Sequence, residues 1–122
     1  MSLHSDWKEA KAKAMKVIPH DPTPHEGGLG ALLDKFEKAK ERFDTVRGDS
    51  KASDKETKSA TEALKKALLD LDKVLKPYDS YVIARHEEAK RDRRQDYMAG
   101  WEMLKRCLLR IGTARSAALK SF

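Results

Sequence analysis

The sequence has one cysteine, Cys107, in 122 residues, so no disulfide can close within the chain. A reducing compartment, the cytoplasm, is the expectation that follows. No window approaches the roughly eighteen uninterrupted apolar residues of a membrane span. Asp6, Lys8 and Glu9 fall within the first ten residues with no apolar stretch beside them, so no secretory signal is expected. Apolar residues are scarce at 39%, against roughly 45–50% in an average domain. No stretch shows sustained period-two alternation, so no strand is expected. These shortages exclude a membrane protein, a collagen-like fibre and a disulfide scaffold.

Chemistry-bearing motifs are equally sparse. No Glu precedes a His by three residues, which removes the di-iron bundle pattern. His86-Glu87-Glu88 lacks the second histidine of a zinc protease. Gly27-Gly28-Leu29-Gly30 precedes a helix but has neither a preceding strand nor the lysine of a phosphate loop. It reads as a flexible lead into that helix. His20, Asp21, His25 and Glu26 share one loop, but prolines intervene and no regular structure holds them, so a stiff polar loop is expected rather than a metal site. Cys107 lies in an apolar run between Arg106 and Leu108 and reads as a buried structural residue. No cofactor, metal or catalytic residue is therefore assigned, and a non-enzymatic protein is expected.

What the sequence has in excess is charge. Asp, Glu, Lys and Arg make up 38%, against ~25% in an average domain. The net charge of +6 is unevenly placed. Residues 1–75 hold 15 Lys and Arg against 14 Asp and Glu, whereas residues 76–122 hold 11 against 6. After Glu102 there is no acid, while Lys105, Arg106, Arg110, Arg115 and Lys120 remain. A basic field confined to one segment attracts nucleic acid, anionic lipid or an acidic protein.

Four helical segments follow from period and punctuation. Trp7, Ala10, Ala14, Val17 and Ile18 share one face of a first helix over 6–18, with Ser5 or Asp6 as its cap and Pro19 as its stop. A Pro/Gly loop spans 19–28. Leu29, Leu32, Leu33, Phe36, Phe43 and Val46 form the stripe of a second helix over 29–47, with Gly48 ending it. Ser53-Asp54-Lys55-Glu56 is a capping box that starts a third helix, which Pro77 should stop. The fourth and longest segment runs over 79–112, with Gly100 as a candidate kink and a basic tail at 113–122, either frayed or a short extra helix. The fold class expected is all-α: one domain, an antiparallel up-and-down bundle of about four helices with a long C-terminal helix.

One stretch departs from this pattern. Lys90-Arg91-Asp92-Arg93-Arg94-Gln95-Asp96 has no apolar residue over seven positions. With a hairpin about Pro77, this polar run faces the polar start of the third helix, where Glu56 and Glu62 could pair with Arg91, Arg93 or Arg94. It also leaves the segment from Trp101 to Ile111 beyond its hairpin partner. Two sites follow as expectations: partner binding through Arg91, Arg93, Arg94, Arg106 and Arg110, and self-association through Trp101, Leu104, Leu108 and Ile111. The function expected is a protein-protein interaction module, an adaptor, chaperone-like or regulatory accessory protein with an acidic partner on its basic C-terminal helix. Nucleic-acid binding through the same arginines is the alternative.

Overall fold

A computed structural model describes residues 2–19, 22 and 27–122. Among them are four α-helices and no strand: α1 (Leu3–Val17), α2 (Leu29–Gly48), α3 (Asp54–Arg91) and α4 (Gln95–Leu119). The helices run up, down, up and down in a ring, with α2 packed most extensively on α3 and α4 on both α1 and α3. The antiparallel sense of α1 and α4 is visible in two places. Asp6 lies 3.8 Å from Arg110 near one end, and Val17 and Ile18 press on Gly100 at the other. A β-carbon at Gly100 would sit 2.8 Å from Val17 Cγ2, so this glycine is a point of close approach between helices. It lies inside one continuous α4.

The helix ends are built from short-range chemistry. Ser2, rather than Ser5 or Asp6, caps α1: its Oγ accepts from the Ser5 amide at 3.0 Å. Two further amides of that first turn, Leu3 and His4, donate to the Glu37 carboxylate of α2 at 3.0 and 2.9 Å. A carboxylate belongs there, because the first amides of a helix have no intrahelical acceptor and carry partial positive charge. Gly28 enters α2 at a φ of 75°, which glycine adopts without the steric cost a side chain brings. Ser53 caps α3 as its motif predicts, accepting from the Glu56 amide at 3.1 Å.

The third helix does not stop at Pro77. It runs through it for 38 residues in all. A proline inside a helix removes one donor and crowds the carbonyl four residues back. Here that carbonyl belongs to Lys73, and Lys73 and Pro77 are both exposed, so the interruption falls on the solvent side of the helix. The opposite face carries the reason for continuing. Leu64, Leu68, Leu71, Leu75, Tyr78 and Val82 are buried at steps of three and four, and the stripe does not change phase at Pro77. Fully burying one such side chain is worth ~1.5–3 kcal/mol, so several together exceed the roughly 3 kcal/mol cost of a helical proline.

The hairpin between α3 and α4 therefore turns at Asp92-Arg93-Arg94. The Arg93 amide donates to Lys90 O at 3.2 Å, and the Arg94 amide donates to Ala89 O at 3.0 Å. Arg93 has a φ of 56°. These two bonds around a left-handed residue are a Schellman motif, normally completed by glycine. The polar run over 90–96 is thus a turn at the end of the bundle, not the middle of a helix. The expected pairing of Glu56 and Glu62 with Arg91, Arg93 and Arg94 does not form. Glu62 and Arg91 lie on one helix, about 44 Å apart along it at 1.5 Å per residue.

One apolar cluster draws on all four helices. Four rings cross it in sequence. Trp7 of α1 meets Tyr78 of α3 edge-on at 5.6 Å. Tyr78 stacks on Tyr81 at 6.0 Å, and Tyr81 meets Trp101 of α4 edge-on at 5.9 Å. The buried Tyr78 hydroxyl donates to Pro22 O at 2.9 Å, which ties the connection between α1 and α2 to α3. The residues expected to form a basic tail continue α4 as far as Leu119. Beyond it, Ser121 O accepts from Arg47 at 2.8 Å, and Phe122 packs on Phe43 with a centroid distance of 5.6 Å.

Candidate functional site

The five arginines expected to bind a partner do not share a face. Arg91, Arg93 and Arg94 crowd the α3–α4 turn, all exposed, with Arg94 lying over the Tyr97 ring at 4.2 Å. Arg106 and Arg110 sit one helical turn apart on α4, beginning about 18 Å further along the axis. Arg106 pairs with Glu102 at 3.0 Å. Arg110 reaches toward Asp6 and lines a shallow α1–α4 cleft of about 290 Å³ with Glu9, Lys13 and Met103.

The residues expected to drive self-association are internal. Trp101, Leu104, Leu108 and Ile111 are at most 2% exposed within one chain. The position of the turn is the reason. With the hairpin at Arg93 rather than Pro77, α3 runs beside α4 and α1 covers its other side. These contacts consume Trp101, Leu104, Leu108 and Ile111, which are not available to a second copy, while Leu109 of the same segment stays outside.

A second concave feature lies between α3 and α4, on the side away from the core. It is an open groove of about 940 Å³. Ile83 of α3 and Leu109 of α4 line it, and Leu109 is 71% exposed. Small residues Gly112, Ser116 and Ala117 line its α4 side, and nothing stands within 4 Å of where a Gly112 side chain would project. Asp72 and Arg115 form a salt bridge of 3.0 Å at one end. Both residues also line an adjoining apolar pocket of about 280 Å³, walled by Leu68, Leu69, Leu119 and Phe122. Leu69 is 65% exposed. Groove and pocket thus form one trough along the α3–α4 seam, with the Asp72–Arg115 bridge between its two parts.

Of the arginines picked from sequence, only Arg106 lines this groove. The apolar members Leu69, Ile83 and Leu109 escaped because a helical stripe counts only residues in phase with the core. The signal was nevertheless present. Leu68-Leu69, Val82-Ile83 and Leu108-Leu109 are apolar doublets, and successive residues on a helix point about 100° apart, so the second member can fall outside the core stripe. In each doublet the first member is buried and the second exposed.

The groove is polar at its margin and electrostatically uneven. Five cationic side chains line it, Lys76, Lys105, Arg106, Arg115 and Lys120, against three carboxylates, Asp72, Asp79 and Glu102. Two of the acids are engaged: Asp72 by Arg115 and Glu102 by Arg106. Two polar atoms of groove residues are buried without a hydrogen-bond partner, His86 Nδ1 and Arg115 Nε. An orphaned buried polar atom is unfavourable until something pairs with it.

Cys107 is fully buried, and burial pushes its thiol above the usual range, with the nearby Asp6 adding to the effect and Arg110 opposing it. A thiol held neutral in the core is a packing residue, because the thiolate is the reactive form. Among the described residues no group of three His, Cys, Asp or Glu could hold a metal ion. The His20–Glu26 set lies outside the described residues. No helix among the described residues is long and apolar enough to cross a membrane. Compared with known proteins, the chain matches no protein-family model, no curated protein and no solved structure.

Proposed function

We propose that this protein is a non-enzymatic interaction module, an adaptor or regulatory accessory protein of the cytoplasm, whose partner docks against the C-terminal helix. The observation that carries the reading is the α3–α4 groove with Ile83 and Leu109 exposed in it. Both side chains lie in one concave seam, and contiguous exposed apolar surface marks interaction sites. The docking surface is α4 together with α3, rather than the arginine set alone. The division of Arg91, Arg93 and Arg94 from Arg106 and Arg110 weighs against the nucleic-acid alternative, which draws on a continuous basic face.

The test is photo-crosslinking in the cell from which the protein comes. A benzophenone amino acid at Leu109 should give a discrete higher-mass adduct. The same group at Glu41, exposed on α2, should not. Equal labelling from both positions, or none from Leu109, overturns the reading.

A further inference from the structure

We propose that the occupant of the α3–α4 trough is an acidic amphipathic helix of a partner protein, spanning both apolar parts across the Asp72–Arg115 bridge. The proposal rests on the docking reading above and adds the chemistry of the partner. Length comes first. Ile83 and Leu69 are separated by about 21 Å along α3, the rise of roughly 14 residues of a second helix. A partner helix of four turns therefore reaches from the Ile83–Leu109 end to the Leu69–Leu119–Phe122 end. Its apolar residues, at helical spacing, enter the two parts in the manner of a helix laid in a groove.

Charge selects the class of helix. Among the described residues no carboxylate lies within 4.0 Å of Lys76, Lys105 or Lys120, while Glu102 and Asp72 are already held by Arg106 and Arg115. The margin of the groove thus has three unpaired ammonium groups against one carboxylate outside any salt bridge, Asp79. Carboxylates on the flanks of an incoming helix complement them, and lysines there are repelled. Position within the trough selects further. Arg115 stands between the two apolar parts with Nε unpaired. A partner carboxylate near the helix midpoint competes with Asp72 for this guanidinium and lets it rotate so that Nε gains an acceptor. A second copy of this chain fits poorly, because its net charge is +6 and its own trough margin is basic. Nucleic acid would satisfy the lysines but leave Leu109, Ile83 and Leu69 against phosphate and sugar.

The experiment is selection from a displayed library of helical peptides of about 18 residues, one turn more than the span requires. Apolar residues occupy one stripe and Glu, Gln and Lys vary freely elsewhere. The full-length protein is the bait and the Leu109→Glu variant the counter-selection. Leu109 is exposed, so the variant should keep its circular dichroism melt, which is checked. The proposal expects Glu to be enriched over Lys on both flanks of the stripe. A selected peptide should bind Leu109→Glu about tenfold or more weakly, a loss of 1.4 kcal/mol. The double variant Lys105→Glu/Lys120→Glu should reverse the preference toward Lys. Enrichment of peptides that Leu109→Glu abolishes but that show no Glu bias overturns the acidic partner and leaves the groove. No enrichment over the Leu109→Glu background overturns both. Glu-rich peptides that bind Leu109→Glu equally well place the site elsewhere and also overturn the proposal.

Discussion

Asp72 and Arg115 meet at 3.0 Å from α3 and α4, and they stand almost symmetrically about Arg93, the left-handed residue of the turn. Lys65 and Phe122 obey the same register, with the ammonium 5.2 Å from the ring centroid. These two pairs fix where each residue of α4 faces α3. They place the exposed members of three apolar doublets along one seam, and they explain why the trough has a salt bridge within it.

Replacing Pro77 tests the continuity of α3. In Pro77→Ala the amide at this position can donate to the Lys73 carbonyl and the ring clash disappears. We expect stabilisation of about 1–3 kcal/mol by denaturant unfolding, part of the helical proline cost recovered. A loss of stability would mean that the chain turns at Pro77.

Arg93 occupies a conformation that costs a non-glycine residue roughly 1–2 kcal/mol. Arg93→Gly should therefore stabilise the chain by about 0.5–1 kcal/mol, and a β-branched Arg93→Val should destabilise it by at least as much. Thermal melts of the three proteins check the order. If valine is tolerated as well as glycine, the Schellman turn is not the one described.

Glu37 is a cap supplied by another helix. Glu37→Ala leaves the Leu3 and His4 amides without an acceptor and should cost about 1 kcal/mol. Amide exchange localises the effect: the first turn of α1 should lose protection before any part of α3. An even loss across all four helices would contradict a local capping role.

Cys107 reports global unfolding. Its thiol ionises at higher pH in the folded chain than in the unfolded one, because burial opposes the thiolate. The associated stability is complete below the thiol's ordinary range and is lost as pH rises through that range toward the folded value. The stability difference between the native chain and Cys107→Ala should therefore narrow above about pH 8.5. Native-state alkylation should be about 100-fold slower than in denaturant or more, because it waits on opening of the core.

The class of fold is legible in local signals. Apolar residues at three- and four-residue steps, Ser53 three positions before Glu56, and glycines around the α2 start are local signals, and a helix is a local structure. The sequence alone also places most of the net charge in the last 47 residues, 11 cations against 6 acids. Which interruption becomes a turn is not a local matter, because packing between distant residues sets it. Pro77 is the stronger breaker by local rules, yet the buried face of Leu71, Leu75, Tyr78 and Val82 carries the helix through it. The polar run 90–96 has no apolar face to bury, so the chain reverses there and the cost of a left-handed Arg93 is met. That choice sets the register of α3 on α4. It buries Trp101, Leu104, Leu108 and Ile111, leaves Leu69, Ile83 and Leu109 outside, and makes the trough, because each depends on contacts between residues distant in the chain.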